Sequence, residues 1–269
     1  MARKIANRPA KRANRPNPRV DRNDMFNDDA PEFITGRKRK RTSHEQTSQP
    51  EPIKSKKVEI LPRNIAQEEY LENLQDERKA LIFAMGPAGT GKTLIATLFA
   101  IQEYQDGNCD KIIITRPAVS VDEQHGFLPG TLIEKMAPWV IPIMDIFKEI
   151  FSVKALEKMI QDEVVEIAPL AYMRGRTLKN AIILADEMQN ATPSQMKMLL
   201  TRIGDNSRII ITGDLNQHDR GFEANGLKDF IHRLTRNGAG DRIAVCEFAA
   251  CDVERHPVIE EVLRIYGDE

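Results

Sequence analysis

Residues 86–93 read GPAGTGKT, so glycines, a lysine and a threonine stand at fixed spacing in one short segment. This order matches the whole pattern G-x-x-x-x-G-K-[ST], in which the backbone of a loop cradles phosphates. Glycines let consecutive N–H groups turn towards one anion, and the following helix directs its positive dipole end at the same point. We therefore predict a nucleoside triphosphate site built by these residues: Gly86, Pro87, Ala88, Gly89, Thr90, Gly91, Lys92 and Thr93.

The flanks of this loop decide whether it is more than a glycine-rich turn. A strand must come before it and a helix after it. The apolar run 80–85 predicts the buried strand, and 94–101 predicts a helix that ends near Asp106-Gly107-Asn108. Both conditions are met, so Lys92 is expected to reach the β/γ-phosphates and Thr93 to hold Mg²⁺ through its hydroxyl.

Charge is distributed unevenly along the 269 residues. Residues 1–57 carry 16 Lys or Arg against 7 Asp or Glu, which leaves 23 basic and 33 acidic residues for the remainder. The first segment is also poor in apolar residues, so we predict a disordered basic tail over 1–57 and a folded domain over 58–269. The basic run 37–41 fits a nucleic-acid clamp, a nuclear address or a plain solvated linker.

Cysteine usage and hydropathy indicate the compartment. Cys109, Cys246 and Cys251 form no CxxC pair and are odd in number, which favours a reducing environment without a disulfide framework. The basic N-terminus is followed by no apolar signal-peptide region. The longest apolar stretch, 136–147, is short and contains prolines and Asp145, so no membrane span is expected.

Strand and helix patterns alternate along the predicted domain. Apolar runs predict strands at 80–85, 111–115, 163–167, 181–185, 208–212 and 242–247. Helices are predicted at 64–75, after the loop, across 131–161 with interruptions at prolines, at 193–203, up to about 236, and at 257–266. This alternation predicts an α/β fold with a mainly parallel sheet that is covered on both faces.

Two carboxylates follow the apolar strand 181–185. Asp186 is expected at the tip of the strand beside the phosphate loop, where it orders Mg²⁺ and its waters. Glu187 is expected to polarise the attacking water as a general base. A polar helix start after any strand would give the same letters, but the phosphate loop upstream favours the functional interpretation.

A second polar tip follows the strand 208–212 and reads Gly213-Asp214-Leu215-Asn216-Gln217. Gly-Asp-x-x-Gln in this position resembles the γ-phosphate sensor of superfamily 1 helicases. Gln217 is therefore expected to contact the γ-phosphate or the lytic water, although the first two residues could also form a plain turn.

Over 59–269 the chain resembles the PhoH-family ATPases. The motifs that carry the resemblance are GPAGTGKT at 86–93, TRP at 115–117, GFLPG at 126–130, APLAYMRGRTLKNA at 168–181, ADEMQNATPSQMKMLLTRIG at 185–204, TGDLNQHD at 212–219 and ERHPVIEEVLRIY at 254–266. Family members often have Ala where this chain has Met188, which leaves the chemical residues intact.

The resemblance implies a cytoplasmic, ATP-binding protein with a single RecA-like, superfamily 1 helicase-like P-loop NTPase core. It assigns phosphate binding to 86–93, Mg²⁺ and water to Asp186 and Glu187, and phosphate sensing to Gln217. It also places Gln67 where the family has a glutamine upstream of the loop that could read adenine.

These observations favour an Mg²⁺-dependent ATPase that is coupled to nucleic acid, with RNA as the expected class. Superfamily 1 motors pair two cores, whereas about 210 residues build only one, so we expect a homo-oligomeric ring, with six subunits as the expected number. The arginine that completes a neighbour's site is expected to be Arg202, Arg220 or Arg255. A P-loop kinase and a nucleic-acid-binding protein that uses ATP only as a switch are the alternatives.

Overall fold

The computed structural model describes residues 55–117, 132–217, 224–238, 240–254 and 257–266. Residues 1–54 of the predicted basic tail, the GFLPG motif, Arg220 and Arg255 lie outside the described residues. Lys56 donates from its backbone N–H to the carbonyl of Ile150 at 3.0 Å and accepts 2.8 Å from the side chain of Gln105. The folded domain therefore includes residues just before the predicted boundary at 58.

Within the described ranges, six strands form one sheet: β1 (Leu81–Met85), β2 (Lys111–Thr115), β3 (Val165–Ile167), β4 (Ala181–Ala185), β5 (Arg208–Gly213) and β6 (Ile243–Glu247). Every paired neighbour is parallel, and the strand order is β3-β2-β4-β5-β1-β6. The fold is thus α/β with a parallel sheet, as the alternating pattern predicts.

Seven helices are described: α1 (Ile65–Gln75), α2 (Lys92–Gln105), α3 (Leu132–Ile150), α4 (Val153–Gln161), α5 (Pro193–Leu200), α6 (Gly226–Asn237) and α7 (Pro257–Tyr266). Side chains from the helices α1, α2, α3 and α4 pack on one face of the sheet, together with Ile82 and Ala84 of β1. Residues of α5 and α6 pack on the other face, with Phe83 and Met85. Both faces are covered, so the strands are apolar along nearly their whole length.

The expected interruption of the 131–161 helix at its prolines is wrong. α3 continues through Pro138 and Pro142, and the break comes at Phe151 and Ser152, whose hydroxyl caps α4 by accepting from the N–H of Ala155. Pro142 is exposed, while Val140 and Phe147 are buried in the core. Tertiary packing of the apolar face outweighs the lost backbone hydrogen bonds.

Among the residues that the structure describes, no helix combines the length and apolar character needed to cross a bilayer.

Candidate nucleotide site

The phosphate loop joins β1 to α2, and its glycines are required by local geometry. Gly86 has φ +142°, and a Cβ atom there would lie 2.3 Å from the backbone oxygen of Phe248. Gly91 is the N-cap of α2 in the left-handed conformation, at φ +82°. Only glycine adopts both positions without strain. The loop therefore follows a strand and opens a helix at Lys92, as predicted.

Lys92 is buried, and its ammonium group is held by the loop itself. Nζ donates to the carbonyl of Gly86 at 2.8 Å, to that of Pro87 at 2.5 Å and to Oγ1 of Thr90 at 3.1 Å. The hydroxyl of Thr90 also donates 3.0 Å to the Pro87 carbonyl, so it stiffens the same turn. These contacts fix a cation inside the loop, where a phosphate group would need it.

Burial lowers the pKa of Lys92, and the negative charges of Asp214, Glu187 and Asp186 oppose that shift. A cation in this cavity therefore faces a group of carboxylates, with little water to screen them. A bound triphosphate would add negative charge beside Lys92 and so would favour the protonated form of the lysine.

Asp186 stands at the tip of β4 and joins the loop helix to the sheet. Its Oδ1 accepts from the hydroxyl of Thr93 at 2.9 Å and from the hydroxyl of Thr212 at 2.5 Å. The expectation that its strand neighbours the loop strand is wrong, because β5 lies between β1 and β4. Thr212, on β5, spans that gap. Sequence reasoning missed it because strand order is not visible in a strand's own residues.

Glu187 has a left-handed backbone at φ +54°, which is strained for a residue with a side chain. Its Oε2 accepts a hydrogen bond from Nε2 of Gln189. Gln189 is buried, and its Oε1 in turn accepts from the backbone N–H of Asp214 at 3.1 Å. The two acidic tips predicted from the sequence are thus linked by a buried amide that had no assigned role.

One cavity of about 270 Å³ collects most of the predicted residues. Those that line it are Gly86, Ala88, Gly89, Gly91, Lys92, Thr93, Asp186, Glu187 and Gln217, together with Leu94, Thr212, Gly213 and Asp214. Pro87, Thr90 and Gln67 are outside this lining and act on it through Lys92 and the loop backbone.

Gln67 supports the loop from α1. Its Nε2 donates to the carbonyl of Thr90 at 3.1 Å, and its Oε1 accepts from the N–H of Arg63 at 2.9 Å. The side chain is 4% exposed, and a Cβ on Gly91 would lie 3.0 Å from its amide nitrogen. Both ends of the amide are therefore used within the chain, so the adenine contact stays a prediction.

The segment after β6 closes over the loop, a contact that no sequence pattern indicated. Phe248 donates from its N–H to the carbonyl of Met85 at 2.7 Å, and Glu254 donates from its N–H to the carbonyl of Gly89 at 3.0 Å. The ring of Phe248 also lies 6.0 Å from Nζ of Lys92. Residues 248 and 254 thus hold the start of the loop and its middle in place.

The arginines occupy different surroundings. Arg116 lies 4.0 Å from Oδ2 of Asp186 and 5.9 Å from the ring of Trp139. Arg176 is paired with Glu166 on β3, away from the cavity lining. Arg202 donates to two backbone carbonyls of its own chain, at 3.3 Å each. Of these three arginines, Arg116 is the one beside an acidic residue of the cavity.

The donor set fits a nucleotide with Mg²⁺. Mg²⁺ prefers oxygen ligands and is often bound by one or two carboxylates together with substrate phosphates. Thr93 and Asp186 present a hydroxyl and a carboxylate oxygen 2.9 Å apart. In the described ranges no group of three His, Cys, Asp or Glu side chains could hold a metal by itself. The pair would therefore hold the ion together with phosphate oxygens.

Comparison with known proteins gives a consistent family. The family model described as "PhoH-like protein" matches residues 59–267. A PhoH-like protein of Synechocystis sp. is 37% identical over 84% of this chain and 68% of its own length, and one of Bacillus subtilis is 41% identical over 80% and 66%. The chain therefore spans about two thirds of the length of these relatives. The Sulfolobus solfataricus SWI2/SNF2 ATPase core covers 62% of this chain and 34% of its own at 13% identity, with a TM-score of 0.37, too weak a likeness to bear on function.

Proposed function

This chain belongs to the PhoH-like protein family, and we propose from the geometry of its site that it binds ATP with Mg²⁺ and hydrolyses it. One observation carries the proposal. Thr93 of the loop helix and Asp186 of β4 share a hydrogen bond at the edge of a cavity that also contains Lys92 and Glu187. A cation, a metal-binding pair and a base around one cavity are the parts that phosphoryl transfer to water needs.

Each side chain has a defined task in this proposal. Bound Mg²⁺ would neutralise charge on the β/γ-phosphates, held through Thr93 and Asp186. Lys92 moves its ammonium from the loop carbonyls to phosphate oxygens. Glu187 accepts a proton from the water whose oxygen bonds to the γ-phosphorus, while the bond to the bridging oxygen of ADP breaks. Gln217 contacts the γ-phosphate or that water.

We propose further that hydrolysis is coupled to remodelling of nucleic acid, with RNA as the expected class, by a cytoplasmic ring of subunits, expected to be a hexamer. Support for nucleic acid comes from the basic character of residues 1–57, and the ring is proposed because a helicase-type motor needs two cores around one nucleotide. Arg202, Arg220 or Arg255 of a neighbouring copy would then complete the site. Dilution below the assembly concentration should reduce turnover per subunit; full turnover by a monomer would contradict this part.

The first test measures phosphate release from ATP with Mg²⁺, with and without single-stranded RNA. The Lys92→Ala variant is the control for contaminating activity. We expect release that depends on Lys92 and rises with RNA. If phosphate release depends on Lys92 but is the same with and without RNA, the result supports the ATPase proposal and contradicts the proposed coupling to nucleic acid. Transfer of the γ-phosphate to an added acceptor, instead of to water, would favour the kinase alternative.

The ATP-switch alternative rests on the charge of the tail, and a binding experiment separates it from the motor. Contacts between lysines or arginines and phosphates weaken steeply with salt because counterions are released. If RNA binding changes between ATP-bound and ADP-bound protein but no strand displacement follows, the switch is favoured. If deletion of residues 1–54, which keeps the contacts of Lys56, leaves RNA binding unchanged, the tail does not carry it.

A further inference from the structure

Gln189 lies beside the proposed catalytic residues but has no role in the proposed hydrolysis described above. It lies in the short 3₁₀ turn Met188–Asn190, directly after Glu187, and its side chain is 1% exposed. Its Nε2 donates to Oε2 of Glu187, and its Oε1 accepts from the N–H of Asp214. A buried amide that contacts the general base with one end and a neighbouring strand with the other fixes the orientation of both.

The neighbouring strand is shaped to receive this amide. A Cβ atom on Gly213 would lie 2.8 Å from Oε1 of Gln189 and 3.2 Å from its backbone nitrogen. Any larger residue at 213 would push the 3₁₀ turn away from β5. The close approach therefore depends on glycine, and it places the amide between the two polar strand tips.

The turn that Gln189 reaches also carries Gln217. The N–H of Asn216 donates to Oδ1 of Asp214 at 2.9 Å, and the N–H of Gln217 donates to the carbonyl of Asp214 at 3.2 Å. Asp214 is thus the base of a turn whose last residue lines the cavity. A contact at the Asp214 N–H can transmit the position of Glu187 to Gln217, because hydrogen bonds join Glu187 to Gln189, Gln189 to Asp214 and Asp214 to Gln217.

Glu187 needs such support. Its left-handed backbone is strained, and a rotation about its side-chain bonds would carry the carboxylate away from the cavity. Side chains that act as general bases are commonly oriented by a third group that is hydrogen-bonded to them. For Glu187, that group in the described residues is the amide of Gln189.

We propose that Gln189 is a positioning residue that holds the Glu187 carboxylate towards the γ-phosphate position and couples it to the turn of Gln217. The proposal rests on the proposed ATPase function. Gln189 touches no cavity space itself, so it acts through Glu187 and Asp214. ATP binding should therefore depend on it little, and the hydrolytic step should depend on it strongly.

The sharpest variant is Gln189→Glu, which has the same shape. It keeps an oxygen to accept from the Asp214 N–H but loses the donor to Glu187, and it places a second carboxylate beside the base. Like charges repel, so the Glu187 carboxylate should leave its position. The carboxylates that act on Lys92 in the cavity, Asp186, Glu187 and Asp214, are themselves unchanged.

The kinetic measurement compares phosphate release and equilibrium ATP binding for Gln189→Glu and wild type. We expect kcat to fall by about 10- to 100-fold, with the Kd for ATP within about twofold of wild type. An unchanged kcat, or a loss that is entirely in Kd, would overturn the proposal.

Gln195→Glu is the matched control. Gln195 is also a glutamine whose Oε1 accepts from a backbone N–H, that of Thr192, at 2.9 Å, in the capping box of α5. Glutamate serves equally well at this capping position. The control should retain the wild-type kcat and Kd, which separates the effect at 189 from a general effect of added charge.

One measurement does not require activity. In Gln189→Met, amide hydrogen exchange at Asp214 should be faster by on the order of tenfold, because the acceptor is gone. If wild type releases no phosphate, the ATPase proposal fails while the exchange measurement still tests the contact of Gln189. Unchanged exchange at Asp214 would contradict the positioning role.

Discussion

The hydroxyl of Thr93 donates a 2.9 Å hydrogen bond to Oδ1 of Asp186, although 93 positions separate the two residues in the chain. Thr93 is in the first turn of α2, and Asp186 directly follows β4. Thr212 donates to the same oxygen from β5, so three elements meet at one carboxylate atom. These two hydrogen bonds bring the phosphate loop and the acidic end of β4 together in one site.

The Thr93 hydroxyl is expected to be needed for metal-dependent binding. Thr93→Ala should weaken Mg²⁺-dependent ATP affinity by about 10- to 100-fold, because a ligand to the ion and the donor to Asp186 are both lost. Thr93→Ser keeps the hydroxyl and should stay within about threefold of wild type. Titration of ATP with Mg²⁺ and with EDTA measures this, and an equal loss in both conditions would argue against a metal role.

Gly86 is expected to tolerate no side chain. Gly86→Ala should destabilise the fold by at least about 2 kcal/mol, because the new Cβ would lie 2.3 Å from the Phe248 carbonyl oxygen at an unfavourable φ. Gly107→Ala is the matched control. Gly107 also has positive φ, but no atom lies within 4 Å of an added Cβ, so only the backbone cost of about 1 kcal/mol is expected. Urea unfolding compares the two; equal losses would show that the Phe248 contact is unimportant.

A substitution at Gln67 can distinguish support of the phosphate loop from recognition of the adenine base. Because both ends of its amide bind Thr90 and Arg63, Gln67→Ala should weaken ATP and GTP binding by the same factor, on the order of tenfold. Gln75→Ala, an exposed glutamine on the same helix, should change neither. Competition binding with the two nucleotides gives the ratio. A loss confined to ATP would instead establish the adenine contact that the family resemblance implies.

Glu166 supplies a pH-dependent contribution to stability at the β3 edge. Its hydrogen bonds to Arg176, then its pairing with Lys111, hold the pKa of this carboxyl below its usual value. A lowered folded-state pKa contributes stability above the unfolded value, near 4.3, and that stability is lost as pH falls through the folded value. Glu166→Gln should cost about 1 kcal/mol at pH 7, since Arg176 is about a third exposed, and the gap should close towards pH 3.

Glu163→Gln is the control for that experiment. Glu163 also pairs with Lys111, at 3.7 Å, but its side chain is 80% exposed, so water screens the pair. Its substitution should leave stability unchanged at both pH values. A loss for Glu166→Gln that persists undiminished at pH 3 would mean that the charge of Glu166 is not its source.

Local signals in the sequence predicted local structure well. The strand of β1, the helix that opens at Lys92 and the start of α5 at Pro193 depend on neighbouring residues, and the structure has all three. The prolines of α3 led to a wrong prediction of a helix break. The free-energy cost of a missing backbone N–H can be read from the local sequence, whereas the tertiary packing of Phe147 that offsets this cost cannot.

Relationships between distant elements could not be predicted in this way. Thr212 reads as one more residue of a buried strand until the order of strands places it beside Asp186. Gln189 was visible as part of an acidic motif, but its partner Asp214 lies 25 positions away. Phe248 carries no motif at all, and its contact with Gly86 follows only from the pairing of β6 with β1.

The central claim is that Glu187 drives hydrolysis of ATP held by Lys92 and Thr93, and Glu187→Gln tests it most directly. Phosphate release and equilibrium ATP binding should be measured on the same preparations of wild type and variant, with Mg²⁺. Wild type should release phosphate, whereas the variant should bind ATP with wild-type affinity and release phosphate at least about 100-fold more slowly. Wild-type protein that binds ATP without releasing phosphate, or a variant that keeps its turnover, would contradict it.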